Sequence, residues 1–358
     1  MLTRQKNAFL KIAIIFLAVI VIIAAITITA FSAQSDPAPK AKSSSGQEAV
    51  VEEKVGLFPV QVDGKWGYIN KTGKIVINLQ FDWAMDFHED LAVVKISRKW
   101  GYINKTGKIV ISPRFVEAHD FQEGLASVKI GGMYGFIGKT GKIVISPQFD
   151  DWANFSGGLA LVKIGGKHGY IDKTGKVVIN TQFDCWTNFS EGLALVKMGG
   201  KWGYIDKTGT IVIKPQFDHA WPFDEGLASV RIGDKYGFID ETGKIVIKPQ
   251  FGYAFAFCDG LASVLIGGKR GYIDKTGKVV IKPQFDYASC FHEGLAPVQL
   301  GGYWGYIDKT GKIVIEPQFG EPGFFNEGLA EVEIDGKSVY IDKTGRAVWE
   351  STSYIDYD

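Results

Sequence analysis

Cysteine, histidine and any excess of charge are scarce in this chain of 358 residues. It has three cysteines, five histidines and a formal net charge of +1. Three cysteines, Cys185, Cys258 and Cys290, are too few and too irregularly spaced for a disulfide framework or a zinc knuckle. We expect them to be inert core thiols, because free cysteine usually behaves as a small buried hydrophobe. The balanced charge gives no reason to expect a nucleic-acid-binding protein.

Motifs for catalysis are also absent. The histidines show no metal-ligand spacing, and a metal site needs several convergent ligands. Acidic residues instead recur in one repeated position beside glycine, whereas a glycosidase needs two singular carboxylates facing one cleft. The glycines fit turns and do not form a phosphate loop between a strand and a helix. The sequence therefore predicts a protein that is not an enzyme and that holds no cofactor or metal.

What the chain does have is a fixed period of 34 residues. A period of this length is typical of solenoids, propellers and arrays. No insertion breaks its phase. The position that starts each Trp-Gly pair, called the Trp position below, is occupied by Trp66, Trp100, Tyr134, His168, Trp202, Tyr236, Arg270, Trp304 and Ser338.

Each unit is predicted to form three antiparallel strands joined by two tight turns. In one copy, residues 159–164 form a β-branched run that Gly165-Gly166 closes, as in a primed hairpin turn. Residues 169–172 and 176–179 give the second and third strands, and Gly175 takes the left-handed position of the turn between them. The connection to the next unit has space for a fourth, short strand. Such a meander is too small to bury its apolar face alone, so neighbouring copies must stack.

Two closures compete for this array. Propellers usually have four to eight blades, and nine units lie outside that range. Nine copies are also linked by only eight aromatic connections, because residues 45–55 lack Phe and Trp. The sequence therefore favours an all-β, open superhelical array of three- to four-stranded antiparallel meanders. A closed, propeller-like ring is the alternative.

The first 55 residues differ from the repeats. An uncharged run from Ile12 to Phe31 follows Arg4, Lys6 and Lys11, which predicts a transmembrane helix with a cytoplasmic N-terminus. A cleaved signal peptide, and hence a secreted protein, is the alternative. The predicted organisation is a cytoplasmic tail (1–8), a membrane anchor (9–31), a disordered linker (32–55), nine repeats (56–349) and a tail (350–358).

Lysine recurs at two positions of the Asp-Lys-Thr-Gly-Lys turn. Stacking is expected to align these lysines into a basic rim, with the Glu-Gly position forming an acidic rim elsewhere. The rim would bind an anionic envelope polymer, lipid headgroups or an acidic protein, or it would only keep β edges from aggregating. The candidate rim residues are Lys71, Lys74, Lys105, Lys108, Lys139, Lys142, Lys173, Lys176, Lys207, Lys275, Lys278, Lys309 and Lys312.

The recurring Lys65-Trp66-Gly67, "YIDKTGK" and "EGLA" signatures resemble the bacterial WG-repeat (KWG-repeat) family over residues 56–349. The resemblance implies a β-rich repeat module without common catalytic residues. Substitutions at the Trp position, such as His168 and Arg270, indicate a packing position. We expect a membrane-tethered, extracytoplasmic binding or scaffolding module whose partner is an envelope polymer or protein. The alternatives are a structural spacer, and a ligand sensor or enzyme with one specialised pocket.

Overall fold

The computed structural model describes residues 56–180 and 185–354, which form nine antiparallel sheets. We number these sheets as blades 1 to 9 in chain order. Blades 1 to 3 contain β1 (Phe58–Val62), β2 (Lys65–Ile69) and β3 (Ile75–Phe81); β4 (Trp83–His88), β5 (Leu91–Ile96), β6 (Lys99–Asn104) and β7 (Ile109–Phe115); β8 (Glu117–Ala118), β9 (Leu125–Ile130), β10 (Met133–Gly138) and β11 (Ile143–Phe149). Blades 4 to 6 contain β12 (Phe155–Ser156), β13 (Leu159–Ile164), β14 (Lys167–Asp172) and β15 (Val177–Ile179); β16 (Cys185–Trp186), β17 (Leu193–Met198), β18 (Lys201–Asp206) and β19 (Ile211–Phe217); β20 (His219–Ala220), β21 (Leu227–Ile232), β22 (Lys235–Asp240) and β23 (Ile245–Phe251). Blades 7 to 9 contain β24 (Tyr253–Cys258), β25 (Leu261–Ile266), β26 (Lys269–Ile273) and β27 (Val279–Phe285); β28 (Tyr287–Ala288), β29 (Leu295–Leu300), β30 (Tyr303–Asp308) and β31 (Ile313–Phe319); β32 (Leu329–Ile334), β33 (Lys337–Asp342) and β34 (Ala347–Tyr354).

The predicted meander and its turns are confirmed. In blades 2 to 8 a leading strand precedes the three predicted strands, and the strand order follows the chain. The primed turn has positive φ at both central residues, 57° at Gly165 and 78° at Gly166. Ser97 and Arg98 adopt the same turn, with φ of 49° and 67°, although neither is glycine.

At five of the eight junctions between successive blades, the outer strand continues almost directly into the next leading strand. β7 ends at Phe115 and β8 begins at Glu117, so a single residue separates the outer strand of one blade from the leading strand of the next. Val116 between them donates its N–H to the Lys129 carbonyl of blade 3 at 3.4 Å. At these junctions the chain passes from blade to blade without a loop, which keeps the unit short.

The core lies between blades, as the predicted stacking requires. Tyr102 of blade 2 packs its ring 4.9 Å from Phe121 of blade 3 and donates its hydroxyl to the His119 carbonyl at 2.8 Å. Tyr102 and Phe121 are both buried. The same ring pair and hydroxyl bond join Tyr204 to Phe223 and to the Trp221 carbonyl. A blade is thus completed by its neighbour.

The array is closed into a ring, so the preference for an open superhelix is wrong. Blade 1 lacks a leading strand, but two of its own residues replace the missing contacts. Phe58 stands where every other copy has alanine, and its ring lies 5.6 Å from Tyr340 of blade 9. The Tyr340 hydroxyl donates to the Pro59 carbonyl at 3.1 Å. Closure needs the packing between blades, and Phe58 supplies it without a ninth aromatic connection.

Two of the three cysteines form a bond between blades, which corrects the expectation of inert thiols. Cys258 and Cys290 are disulfide-linked, with their Cα atoms 5.5 Å apart. Cys258 ends the leading strand of blade 7, and Cys290 follows the leading strand of blade 8. Residues in non-equivalent positions of adjacent copies come together because neighbouring leading segments lie side by side.

The predicted tail (1–8), membrane anchor (9–31) and linker (32–55) lie outside the described residues. Within residues 56–180 and 185–354 the structure has no helix with the length and apolarity needed to cross a membrane. At the other end, β34 continues to Tyr354, past the predicted repeat boundary at residue 349.

Candidate functional site

Alternating strand direction gives the ring two chemically different ends. In a four-stranded meander the first and third turns share one end, and the second turn lies at the other. The first turn carries the Glu-Gly position and the third carries Asp-Lys-Thr-Gly, so we call this the ionic end. The opposite, hairpin end carries the two-residue turns and the Trp position. The candidate rim and the repeat signature therefore face opposite ends.

At the ionic end the acidic and basic positions meet, so the prediction of a separate acidic rim is wrong. The Glu123 carboxylate of blade 3 accepts the Gly158 N–H of blade 4 at 3.0 Å. It also pairs with Lys173 of blade 4 at 3.1 Å. The Glu123 carboxylate thus joins two adjacent blades. From the sequence, these turns were expected to be separate solvated loops, so this contact was not predicted.

Most rim lysines of the first position are neutralised in this way. Each pair leaves its lysine about half exposed, so it contributes at most about 1 kcal/mol. The pairs are Lys139–Glu89 at 3.2 Å, Lys173–Glu123 at 3.1 Å, Lys275–Glu225 at 3.1 Å, Lys309–Asp259 at 3.0 Å and Lys343–Glu293 at 3.1 Å, and Lys105 pairs with Asp90 of its own blade at 3.0 Å.

The ionic pattern extends to the ring closure and is interrupted at the positions of Lys105, Lys207 and Glu241. A methyl group placed on Gly56 would lie 3.0 Å from Lys71 Cε and even closer to the Glu327 carboxylate, so both side chains lie beside Gly56 at the closure. Lys207 faces Gly157, at a position where seven of the nine copies have an acid. Glu191 bonds the Gly226 N–H at 2.9 Å, but its lysine position holds Glu241.

The broken pattern leaves excess negative charge beside Asp224. Burial, the Glu191 charge and the Glu225 charge raise the pKa of Asp224 to about 7. Lys275 opposes this shift, but a lysine at position 241 is missing. Asp224 therefore titrates near neutral pH in the folded ring.

Rim lysines of the second position remain exposed, with no ion pair among the described residues. They directly precede the outermost strands, where two β-branched residues are also exposed in each of blades 1 to 7, for example Ile143 at 53% and Val144 at 49%. Lysine beside an exposed apolar edge is a common protection against edge-to-edge aggregation. An anionic partner would meet this second set, which comprises Lys74, Lys108, Lys142, Lys176, Lys278 and Lys312.

At the hairpin end the Trp position is a packing position, as its substitutions indicate. Trp100, Trp202 and His168 are half-buried, and Tyr134, Tyr236, Arg270 and Trp304 are buried. A lysine on the neighbouring strand covers several of these rings. Lys95 lies 5.2 Å from the Trp100 ring and Lys197 lies 5.6 Å from the Trp202 ring.

Two tryptophans of the leading segments extend this aromatic surface into solvent. Trp83 is 46% exposed and packs 5.0 Å from Trp66. Trp152 is 45% exposed and stacks on His119 at 4.6 Å with an interplanar angle of 15°. These two residues were not singled out from the sequence, because the position of Trp83 varies among the copies and that of Trp152 is alanine in most of them. That variability inside a regular repeat was the available signal.

Acidic side chains gather near the closure. Burial raises the pKa of Asp86 and that of Glu331. The charges of Asp120 and Glu327 further raise the pKa of Asp86, and the charge of Asp86 further raises the pKa of Glu331. Asp120 lies 3.6 Å from His88. No group of three or more potential metal ligands occurs among the described residues.

Comparison with known proteins agrees with this architecture. The family described as "WG containing repeat" matches residues 66–100, 100–134, 134–167, 169–202, 202–236, 236–269, 271–304 and 304–337. Each matched segment runs from the third strand of one blade to that of the next, so eight segments connect nine blades. No curated protein matches the chain.

Solved structures align with this chain at low identity. The crystal structure of the eukaryotic initiation factor aligns over 83% of this chain and 96% of its own, at 10% identity and a TM-score of 0.60. The dihydro-heme d1 dehydrogenase NirN aligns over 73% and 72%, at 14% identity and a TM-score of 0.44. PorZ of Porphyromonas gingivalis aligns over 73% and 43%, at 10% identity and a TM-score of 0.32. The family match spans most of the ring, and this chain belongs to the WG containing repeat family.

Proposed function

We propose that the chain is a non-enzymatic binding or scaffolding module, tethered to the membrane by residues 9–31 and displayed outside the cytoplasm. The observation that carries the binding role is the pair of half-exposed tryptophans, Trp83 and Trp152, on the hairpin end. Large aromatic side chains are costly to leave in water and are enriched where proteins bind partners. Both rings rest on aromatic neighbours, which holds them in place before a partner arrives.

The disulfide supports the extracytoplasmic placement. Disulfides persist in oxidising compartments and are rare in a reducing cytosol. Cys258 and Cys290 join two blades that already pack together. The apolar run of residues 12–31, with its basic flank, supplies the matching sequence signal for export.

The ionic end supports a partner less well than the hairpin end. Its first set of lysines is already paired with carboxylates of the adjacent blade, so an anionic polymer would compete with those pairs. The second set is available but lies on the outer strands, where lysine also serves solubility. We therefore place the main contact surface at the hairpin end.

A matched pair of double variants tests the proposal. Trp83→Ala with Trp152→Ala removes the exposed aromatic rings, and Ile109→Ala with Ile143→Ala removes equally exposed side chains from the outer strands. Binding of full-length protein to isolated envelope polysaccharide and to envelope membrane proteins is measured for each. We expect at least a tenfold loss for the tryptophan variant only, which corresponds to about 1.4 kcal/mol. Equal binding by both variants would show that the two tryptophans are not the contact surface, and no binding by wild type would support a structural spacer.

A further inference from the structure

Arg270 breaks the repeat pattern more sharply than any other residue at the Trp position. It is 8% exposed. In other copies a partly exposed lysine covers an aromatic ring from the neighbouring strand, as Lys197 covers Trp202. In blade 7 the lysine position holds Leu265, which is directly opposite Arg270. Blade 7 thus has its positive charge at the buried Trp position, whereas several other copies have it on a partly exposed lysine.

Three aromatic rings enclose the buried guanidinium. Its Cζ atom lies 5.0 Å from the Tyr253 ring, 4.7 Å from Phe255 and 4.5 Å from Tyr287. Ring faces attract a cation but offer no hydrogen-bond acceptor in the plane of the guanidinium. Burial lowers the pKa of Arg270, and no carboxylate is among the groups that offset this shift. No ion pair or hydrogen bond to Arg270 occurs among the described residues, and its Nη1 atom is buried without a partner.

Two further buried donors without partners are connected to this cage through ring contacts, since the His219 ring, opposite Arg231, lies 5.3 Å from Trp221. Trp221 packs 6.5 Å from Phe255, and its Nε1 has no partner. Arg231, on the strand beside His219, has a buried Nε without a partner. Indole and guanidinium N–H groups can only donate, so a ligand that satisfies them must bring acceptors. The acid whose pKa Arg231 helps to lower, Asp218, is already bonded to Lys201 and to the Gly233 N–H.

We propose that Arg270, Trp221 and Arg231 form a binding site for an anionic group, a carboxylate or a phosphate ester, carried on an aromatic body. The anion supplies acceptors and negative charge to the unpaired donors. The aromatic body packs against the partly exposed rings of Trp221, Tyr253 and Tyr287. An arginine is suited to both parts, because its planar guanidinium forms paired hydrogen bonds with oxyanions and stacks on rings. The site deepens the proposed binding function but does not depend on Trp83 or Trp152.

The repeat itself supplies the test variant. Arg270→Trp installs the residue that the chain uses at four equivalent positions, so packing is retained and the buried charge is removed. Trp221→Phe keeps the ring and removes only its N–H. Lys278→Gln removes an exposed positive charge elsewhere and serves as the control. Binding of phenyl phosphate, benzoate, inorganic phosphate and phenol to full-length protein is measured by calorimetry, together with the unfolding temperature.

We expect phenyl phosphate and benzoate to bind wild type and the Lys278→Gln control equally, with inorganic phosphate and phenol at least tenfold weaker. Arg270→Trp and Trp221→Phe each lose at least tenfold, and Arg270→Trp unfolds at the same or a higher temperature than wild type. Stronger binding of phenyl phosphate than benzoate identifies a phosphate ester as the source of the anion, and the reverse identifies a carboxylate. Failure of both aromatic anions to bind wild type, or wild-type affinity in the Trp221→Phe variant, overturns the site. Loss of binding in the Trp83→Ala, Trp152→Ala variant would show that the anion binds at the other surface.

Discussion

At the scale of single residues, the glycine of the Trp-Gly pair explains the signature better than the tryptophan does. The fourth strand bulges toward the third, and Gly203 lies where it comes closest. A Cβ on Gly203 would stand 2.5 Å from the Ile213 carbonyl oxygen and 2.6 Å from the Pro215 nitrogen. The tryptophan position accepts tyrosine, histidine and arginine, whereas the glycine leaves no space for a methyl group. A bulge of this kind has no signature in the strand periodicity, so the sequence did not show why the glycine is needed.

Gly203→Ala is therefore expected to destabilise the ring by about 1–3 kcal/mol, because the clash is with backbone that cannot turn away. Gly138→Ala is the control, since a Cβ there meets only Val144 Cγ2 at 3.5 Å. Urea unfolding should place this control within about 0.5 kcal/mol of wild type. Equal effects for the two variants would contradict the close approach.

Asp224 makes the free energy of unfolding depend on pH, and the direction of this dependence follows from its pKa. Its folded pKa of about 7 lies above the value of about 4 in an unfolded chain. Between these values the folded state holds a proton that the unfolded state has released, so stability falls as pH rises from about 4 to about 7. The Asp224→Asn variant should not show this loss of stability between about pH 4 and about pH 7.

Thermal melts at about pH 4.5 and about pH 8 test this expectation. The gain in unfolding temperature of Asp224→Asn over wild type should be larger at the higher pH. Asp308→Asn is the opposite case, because the hydrogen bond from Thr310 helps to lower the pKa of Asp308. Its loss should be similar at about pH 8 and about pH 4.5, and it should fade in a third melt below about pH 3. The same trend for both variants would refute the assignment of Asp224.

At the scale of elements, strand and turn positions followed from the sequence, whereas contacts between blades did not. Leu159–Ile164 is a strand with the predicted bounds, because β-branched residues and a Gly-Gly turn are local signals. The pairing of Lys173 with Glu123 depends on two turns from different blades sharing one end. The disulfide likewise depends on neighbouring leading segments. Neither contact can be predicted from the sequence of a single repeat.

Charge reversal at the ionic end should show which lysines connect blades. Lys173→Glu places like charges beside Glu123, whereas Lys207→Glu faces Gly157. We expect Lys173→Glu to lose about 0.5–1 kcal/mol more stability than Lys207→Glu, and the difference should shrink at high salt. Chemical denaturation at two salt concentrations measures both quantities. A salt-independent difference would mean that the loss is not electrostatic.

The disulfide should stabilise the junction of blades 7 and 8. Cys258 and Cys290 are 32 residues apart, and a loop of that length corresponds to about 3–4 kcal/mol in the chain-entropy model. Cys258→Ser with Cys290→Ser should lower the unfolding temperature, and reductant should lower that of wild type to the same value. A response of the double variant to reductant would point to a different bond.

At the scale of the whole molecule, the number of aromatic connections in the sequence led to the wrong prediction of an open array. Eight aromatic connections for nine units indicated unmatched ends, but Phe58 and Pro59 replace what the missing segment provides elsewhere. The large residue at an alanine position was visible in the sequence. Its meaning depends on the three-dimensional neighbour, Tyr340, which lies at the far end of the chain.

A closed ring also predicts how the molecule responds to losing a unit. Deleting residues 193–226 removes one whole 34-residue unit and leaves the other repeats in register. The remaining eight blades would have to close a ring whose contacts between blades fit nine. We expect a broad, weakly cooperative melt by circular dichroism, because closure contacts at Phe58 and Tyr340 no longer fit. A native-like melt would be the behaviour of an open, quasi-one-dimensional array.

The most direct test of the closed ring is a distance between its first and last blades. Spin labels at Lys65→Cys and Lys337→Cys, in a Cys185→Ala background, mark equivalent positions of blades 1 and 9. Labels at Lys201→Cys and Lys235→Cys mark the same positions of the adjacent blades 5 and 6. Closure predicts the same interspin distance for both pairs in double electron–electron resonance. A much longer distance between positions 65 and 337 than between 201 and 235 would contradict the ring.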